Sequence, residues 1–390
     1  MGLLHDVGGI AASTDGPAYP FRHPSPEQPP PRRVHRTRQH AHRRTAIPAA
    51  PLLCFVDDAL PGITRRRCGR GWAYQDHRGD RITDRAEIDR LNAVALPPAY
   101  RDAWFCPSAN GHIQATGYDE KGRKQYRYHL DFRAQQDAEK YGRCVDFGRA
   151  LPLLRARVAG DLAESKPGRD TVIAAIVRLL DLGRVRVGNE AYAQANESFG
   201  ATTLRNAHAR LSGSKLRLSY RAKSGKQQTL TIEDKSLARI VRRCQDLPGQ
   251  HLFQWLDAEG EPHPVGSADV NAYIREATGG DFSAKHFRTW GASVIAFQTL
   301  ADAGPAGLTL KSMLEPVAAA LGNTPAISRK SYVHPALIEL ARPGLDAFAG
   351  LKLPRATKYL SRAERGLIDF LAEVAESGGT AEPELSRKAA

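Results

Sequence analysis

The sequence pattern changes character near residue 130, and this change constrains the fold more than any other feature. Before it, short aromatic and apolar segments such as Trp72–Tyr74 alternate with turn residues. One turn signal, Asn110-Gly111, lies between two such segments, as is common in β-hairpins. From about residue 133 onward, apolar residues recur with helical periodicity. We therefore expect an α+β protein with a small, mainly β domain at 51–130 and a mostly α domain at 133–385.

Cap and turn residues predict the elements of the C-terminal domain. Thr171 is suited to cap an apolar helix that ends at Gly183. Alternating residues predict strands at 216–220 and 229–232, which form one β-hairpin with a basic tip. We expect further helices at 236–244, 267–277, 283–300 and 311–321, and beyond about 345, where a segment around 362–371 should pack on the C-terminal domain.

Residues 1–50 are rich in proline and arginine, and they predict a disordered basic arm. This arm is either an inert extension, the interpretation that we favour slightly, or a segment that adds nonspecific affinity for nucleic acid. The whole chain carries 56 Lys and Arg against 42 Asp and Glu, a net charge of +14. Such an excess favours polyanionic partners but does not identify one.

The cysteines and the hydropathy exclude several classes of protein. The five cysteines are odd in number and form no Cys-x-x-Cys, which argues against a disulfide framework and a zinc site. We find no apolar run of about 18 residues and no secretory signal, so we expect a cytoplasmic protein without a membrane partner.

Basic residues in three segments are candidates for phosphate binding. Arg186 follows the apolar helix, and Lys285 and Arg288 lie three apart on one helix face. The hairpin tip supplies Lys223 or Lys226. Taken singly, each of these residues is most simply a solvated surface charge.

Tyr332 lies in the most informative segment, which reads GNTPAISRKSY from Gly322 to Tyr332. Thr324 and Pro325 form a good helix start, with a cap residue followed by proline at the first helical position. An isolated tyrosine is usually a structural residue with a satisfied hydroxyl. The basic segments are what favour a chemical role for Tyr332.

Together these segments resemble the type IB DNA topoisomerases of the poxvirus-like and bacterial kind. Lys223 follows Arg186 by 37 residues, the spacing that the family has between its first arginine and its hairpin lysine. Lys285–Gly291, KHFRTWG, is similar to the family's Lys-x-x-Arg-Thr-Tyr-Gly segment, and Gly322–Tyr332 is similar to its tyrosine segment. Arg123–Tyr128, RKQYRY, resembles the family's DNA-contacting Arg-Lys-Gln-Tyr-x-Tyr. The resemblance covers roughly 55–350.

The resemblance implies an enzyme that relaxes positive and negative supercoils without metal, ATP or another cofactor. Tyr332 would cut one strand through a 3′-phosphotyrosyl bond, and Lys223 would protonate the leaving 5′ hydroxyl. Arg186, Arg288 and Asn323 would bind the nonbridging oxygens. The implied partner is double-stranded DNA in the nucleoid, enclosed by a monomeric clamp. We assign DNA contacts to Lys124, Gln125, Tyr126, Tyr128, Asn189, Tyr192, Lys226 and Lys285.

Two positions depart from the family pattern. Asn323 stands where poxvirus-like members have histidine, although bacterial members commonly have asparagine; an amide donates hydrogen bonds but does not titrate. Ala222 stands where glycine is more usual, which leaves open whether Lys223 or Lys226 is the acid, and spacing favours Lys223.

Two other functions remain open from the sequence. A tyrosine site-specific recombinase or integrase shares the tyrosine chemistry, but such enzymes usually have histidine where Lys285 stands, and their N-terminal domain is helical. A noncatalytic DNA-binding protein on the same scaffold is the second alternative, against which the chemically suitable residues at all five catalytic positions argue.

Overall fold

The computed structural model describes residues 52–164, 168–303, 308–341 and 352–377. The arm predicted at 1–50 lies outside these ranges, as do the last residues of the chain. Within them an antiparallel sheet is followed by a mostly helical region, which confirms the α+β class. The change from strand to helix falls between Tyr128 and Leu130, close to the boundary predicted between two domains.

Five antiparallel strands form the N-terminal sheet, in the order β2-β1-β3-β4-β5. They are β1 (Ile63–Cys68), β2 (Gly71–Gln75), β3 (Arg101–Phe105), β4 (Ile113–Tyr118) and β5 (Lys124–Tyr128). One helix, α1 (Arg85–Ala93), contributes Leu91 to a small buried cluster. The strands and the loop after α1 supply the other members of this cluster, which are Ile63, Tyr74, Leu96, Phe105 and Ala115.

The hairpin expected around Asn110-Gly111 is present, but its loop is longer than a tight turn. It spans the residues between Phe105 and Ile113. The backbone carbonyl of Asn110 accepts a hydrogen bond of 2.9 Å from the backbone N–H of Cys54. A Cβ atom at Gly111 would lie 2.4 Å from the Cys106 Sγ, so close packing is what requires glycine here.

The helical region is built around one central helix that is apolar on nearly every side, as expected for a fully buried helix. This helix is α4 (Arg169–Gly183), and α3, α6, α7 and α8 pack on it. The other helices are α2 (Leu130–Gly142), α3 (Cys144–Ala163), α5 (Glu190–Asn196), α6 (Lys235–Gln245), α7 (Ser267–Thr278), α8 (Ala284–Ala303), α9 (Leu310–Leu321), α10 (Pro325–Ser331), α11 (Pro335–Leu340) and α12 (Arg362–Glu376).

The prediction that Thr171 caps α4 is wrong. The helix begins at Arg169 after Gly168, and Thr171 is buried in the first turn with 3% of its surface exposed. Thr171 therefore packs against neighbouring elements, and burial outweighs its local preference for a cap. The predicted end at Gly183 is confirmed, and Arg184 follows in a left-handed conformation with φ 51°.

The predicted single hairpin is part of a larger sheet. Strands β7 (Lys215–Arg221) and β8 (Gln227–Glu233) pair as expected. A short third strand, β6 (Ala209–Ser212), adds to β7, and its four residues give too weak an alternation to be recognised. A separate two-stranded ribbon consists of β9 (Gln254–Leu256) and β10 (Pro262–Pro264).

The C-terminal helix packs on the helical region, as predicted. Arg155 on α3 forms a buried ion pair of 2.8 Å with Asp181 on α4 and another of 2.7 Å with Glu364 on α12. The carboxylate of Glu364 also accepts a hydrogen bond from the Trp290 Nε1 of α8 at 3.3 Å. One arginine therefore joins three helices, whereas the residues from 352 to 361 are not helical.

Candidate active site

Tyr332 directly follows helix α10 as its C-cap residue. The Thr324 side chain accepts a hydrogen bond from the backbone N–H of Ile327 at 3.3 Å, and Pro325 begins the helix, as predicted. The backbone N–H of Tyr332 donates to the Ser328 carbonyl at 3.1 Å and closes the last turn. The phenol is half-buried beside α8, so its position is set by a short, capped helix.

Arg288 lies on α8 with 4% of its surface exposed. Its guanidinium donates to the backbone carbonyl of Arg184, after α4, and to that of Leu321, at the end of α9, the latter at 3.2 Å. Helix C-termini leave carbonyls without intrahelical partners, so they can hold an arginine without neutralising its charge. Within the described ranges no carboxylate pairs with Arg288, and its charge is available to an anion.

The two arginines of the site act on the phenol of Tyr332. The Arg288 guanidinium carbon lies 4.7 Å from the centroid of the Tyr332 ring, and both Arg288 and Arg186 hydrogen-bond to the side chain. Burial alone would raise the pKa of Tyr332, but the charges and hydrogen bonds of Arg288 and then Arg186 outweigh it. The pKa of Tyr332 is therefore lower than that of an ordinary tyrosine, which favours the nucleophilic phenolate.

Arg186 and Asn323 meet on the same side of the site. An Arg186 Nη2 donates to the Asn323 Oδ1 at 3.3 Å. Gly322, in a left-handed conformation with φ 64°, ends α9 and turns the chain so that Asn323 faces Arg186. The Asn323 Nδ2 is buried and has no acceptor among the described residues. It is a donor suited to an oxyanion.

The tip of the β7–β8 hairpin supplies the lysine. A cavity of about 380 Å³ is lined by Arg186, Arg288 and Tyr332 together with Lys223. Lys226, at the other side of the tip, does not line it. Ser224 between them has a positive φ of 66°, and Lys223 is exposed, so the hairpin holds its lysine less tightly than α8 holds Arg288.

Three of the predicted DNA-contacting residues also line this cavity, namely Asn189, Tyr192 and Lys285. The Asn189 side chain caps α5 by accepting from the backbone N–H of Tyr192 at 2.8 Å, a structural role that the sequence reasoning did not assign. Lys285 and Arg288, three residues apart on α8, face the same cavity as predicted. The cavity is thus basic on more than one wall.

The predicted contacts of the N-terminal sheet lie on β5, outside the cavity lining. Lys124 pairs with Asp58 at 2.7 Å, and the Gln125 amide donates to Asp119 at 3.1 Å. The other two residues are tyrosines that are exposed and stacked, with ring centroids 5.8 Å apart: Tyr126 and Tyr128.

A contact links the sheet to the helical region near the cavity. The Arg123 side chain hydrogen-bonds to Asp119 and to the Tyr192 side chain, and these bonds raise the pKa of Arg123. Arg123 belongs to the segment that the sequence analysis singled out, but its role in joining β5 to α5 was not predicted. Its partner is distant in sequence, and no local pattern would have revealed the contact.

Arg184 is a further site residue that the sequence analysis did not assign. Its carbonyl holds Arg288, and its side chain packs against Gly291, where a Cβ atom would lie 2.6 Å from the Arg184 Nε. The signal was present in the sequence as the arginine directly after Gly183, yet nothing local indicates that its carbonyl, and not its charge, is used.

Comparisons with known proteins identify the family of this chain. Residues 129–339 match the family described as "Eukaryotic DNA topoisomerase I, catalytic core". Residues 71–119 match "Bacterial DNA topoisomerase IB, N-terminal domain". The chain is 30% identical over 316 residues to DNA topoisomerase 1B of Acanthamoeba polyphaga mimivirus, a match that covers 78% of this chain and 94% of the relative. The chain belongs to the type IB DNA topoisomerases. It is a topoisomerase enzyme, as the sequence indicates.

A solved structure of the XerH site-specific recombinase bound to its difH substrate is similar at a TM-score of 0.30 and 14% identity. That match covers 58% of this chain and 59% of the recombinase, less than two thirds of its length. In the part of the chain that the structure describes, no group of three or more His, Cys, Asp or Glu side chains is arranged to hold a metal ion. None of the helices in the described ranges has the length and apolar character needed to cross a membrane.

Proposed function

We propose that this topoisomerase relaxes positive and negative supercoils by cutting and resealing one strand of double-stranded DNA through Tyr332, without metal or ATP. The observation that carries the proposal is the position of the Tyr332 phenol against two arginines, one of which is anchored by backbone carbonyls. Guanidinium groups stay charged and match phosphate geometry. They therefore supply the positive charge that a metal ion supplies in other phosphoryl-transfer enzymes.

In the proposed reaction the Tyr332 Oη attacks phosphorus while the bond from phosphorus to the 5′ oxygen breaks. The phosphate becomes a 3′-phosphotyrosine, and the phenol proton leaves to solvent. Arg186, Arg288 and the buried Asn323 amide bind the nonbridging oxygens as negative charge increases on them. One phosphoester replaces another, so resealing by the reverse reaction requires no ATP.

We assign the general acid to Lys223. The leaving 5′ oxygen needs a proton, and a lysine ammonium can donate one as a general acid. Lys223 lines the cavity that also holds the phenol, and Lys226 does not, which supports the choice made from spacing. Rotation of the free 5′ end between cutting and resealing would release supercoils.

The same proposal gives the enzyme the form of a monomeric clamp around the duplex. Support comes from the Arg123–Tyr192 contact, which joins the N-terminal sheet to α5 beside the cavity. The exposed Tyr126 and Tyr128, with Lys124 and Gln125, would contact the duplex from the sheet. Asn189, Tyr192, Lys226 and Lys285 would contact it from the helical region. Such an enzyme would work on the nucleoid.

The experiment that tests this function is relaxation of negatively and positively supercoiled plasmids in EDTA without ATP. We expect the wild-type chain to relax both and the Tyr332→Phe variant to relax neither. Inactivity in EDTA, or relaxation of negative supercoils alone, would contradict the proposed mechanism. Assembly of several subunits on paired DNA sites, seen by footprinting, would favour a site-specific recombinase.

A further inference from the structure

The outer face of the β6-β7-β8 sheet carries an arginine pair that the candidate active site does not use. Arg210 on β6 lies directly opposite Arg217 on β7, which in turn faces Thr231 on β8. Both arginines are exposed, whereas Leu216 and Leu218 beside Arg217 are buried. Like charges directly opposite each other destabilise an antiparallel pair. The pair therefore costs stability unless an anion is bound between the two side chains.

Neither arginine has an acidic partner within the described ranges. Lys215, at the end of the same face, pairs with Glu233 at 3.8 Å, so the carboxylate of that residue is already engaged. The exposed side chains of Ser219, Thr229 and Thr231 on the same face carry neutral hydroxyls. Unpaired guanidinium groups surrounded by neutral donors form a surface that suits phosphate groups.

This face is continuous with the candidate active site. Arg221, on the same side of β7 as Arg217, donates to Glu197 at 3.0 Å, just after α5. The Arg221 carbonyl accepts from the backbone N–H of Phe199 at 2.8 Å, and Phe199 lines the cavity. The outer face of the sheet is therefore joined to the cavity lining through Arg221 and Phe199.

The distance along the strand sets the position on the duplex. Arg217 precedes Lys223 by six residues, of which the last two lie beyond β7, so their separation is at most about 20 Å at roughly 3.3 Å per extended residue. B-form DNA rises about 3.4 Å per base pair, so this distance corresponds to at most about six base pairs.

We propose that Arg210 and Arg217 bind the phosphate backbone of the same duplex that is held at Tyr332, within about six base pairs of the scissile phosphate. The inference rests on the proposed function and extends it by naming a path for one arm of the duplex. The contact is to phosphates and reads no sequence. It strengthens binding only when that arm is long enough to reach the sheet.

The test uses duplexes that carry a cleavage site mapped on plasmid DNA with the wild-type chain. Each arm is shortened in steps, and affinity is measured against salt with the full-length, non-cleaving Tyr332→Phe chain. The plot of log K against log salt has a negative slope. We expect that cutting one arm below about six base pairs reduces the magnitude of this slope by about two, since each phosphate contact contributes roughly 0.9. When Arg210→Gln and Arg217→Gln are added to this chain, the slope on long duplexes should already have the reduced magnitude. It should then no longer change with the length of the arm.

A matched control removes two other exposed arginines, with Arg275→Gln on α7 and Arg362→Gln on α12, and should keep the dependence on arm length. Thermal unfolding checks the fold, and loss of the like-charge pair should leave the melting temperature equal or raise it. The inference is overturned if the Arg210/Arg217 variant follows its parent at every length, or if it also loses affinity for the short duplex. It is also overturned if the two arginines bind a second duplex. If the chain with Tyr332 intact forms no covalent adduct on any duplex, the proposed function fails as well.

Discussion

The two walls of the candidate active site are built differently. On one wall, Arg288 is buried and held by backbone carbonyls, and Tyr332 ends a capped helix against it. On the other wall, Lys223 is exposed at a hairpin tip that contains a residue with positive φ. Under the proposed mechanism, the groups that stabilise charge are positioned before DNA binds, whereas Lys223, the proposed acid, would be positioned by the duplex itself. Preorganised charge lowers the barrier because no reorganisation is needed during the reaction.

The largest effect is expected at the wall formed by Arg288 and Tyr332, which we call the anchored wall. Arg288→Ala should lower the cleavage rate by at least about a thousandfold, because it removes a buried charge that acts on the oxyanion and on the phenol. Arg288→Lys should rescue little, since an ammonium cannot contact two carbonyls and a phosphate in the same geometry. Single-turnover cleavage of a short duplex measures the effect, and Arg275→Ala is the control. A loss of less than tenfold in Arg288→Ala would contradict the anchored wall.

The wall formed by Lys223 at the hairpin tip should respond differently to a change of leaving group. Lys223→Ala should lower cleavage by roughly a hundredfold or more, the usual contribution of a general acid. A substrate whose leaving group is a 5′ thiolate needs little protonation, and it should restore most of the rate to this variant but not to Arg288→Ala. Lys226→Ala is the matched control and should cleave at nearly the wild-type rate. Rescue of the Lys226 variant in place of the Lys223 variant would exchange the two roles.

A smaller effect on the cleavage rate is expected at Asn323, the neutral hydrogen-bond donor of the site. Asn323→Ala should slow cleavage by roughly tenfold, because it removes one uncharged hydrogen bond to a phosphoryl oxygen. Asn323→Asp should be slower still, since a carboxylate would pair with Arg186 and repel the phosphate. The comparison of the two rates at saturating DNA measures the effect. Equal rates in Asn323→Asp and wild type would exclude contact with the phosphate.

The smallest effect on the reaction concerns the support of the anchored wall. The His334 imidazole caps α11 by accepting from the backbone N–H of Ala336, and the backbone N–H of His334 donates to the Ser293 hydroxyl of α8 at 3.1 Å. Burial lowers the pKa of His334 to about 4 from an ordinary value of 6.5. The folded state therefore excludes a proton that the unfolded chain binds below pH 6.5. This contribution to stability is fully present above pH 6.5 and is lost as the pH falls toward 4.

Thermal or urea unfolding between pH 7 and pH 4 tests this sign. The wild-type chain should lose on the order of 3 kcal/mol over that window from His334 alone. His334→Asn, which keeps an acceptor for the cap, should lose less while cleaving normally at pH 7. Identical pH dependence of unfolding in the two chains would show that His334 does not couple stability to pH.

Local patterns predicted the parts of this molecule that local chemistry determines. The start of α10 at Thr324 and Pro325 and the β7–β8 hairpin were predicted because caps and alternation are short-range signals. Thr171 was misassigned because burial in the first turn of α4 overrode its capping preference. The short strand β6 was missed because four residues carry little periodicity.

The residues of the candidate site could be predicted from the family resemblance, whereas the contacts that hold Arg288 in place could not. No spacing rule predicts that Arg288 would be held by the carbonyls of Arg184 and Leu321, which are distant in sequence. The same holds for Arg155, whose pairing with Glu364 closes the C-terminal helix onto the core. Contacts of this kind depend on tertiary packing, and local spacing and periodicity do not predict them.

The most direct test of the central claim is to trap the covalent adduct with denaturant on a duplex whose cut strand is labelled at either its 5′ or its 3′ end. We predict that the 5′-labelled portion becomes attached to the protein, through the peptide that contains Tyr332, in EDTA and without ATP. Attachment of the 3′-labelled portion, attachment through another residue, or no adduct at all would contradict the account.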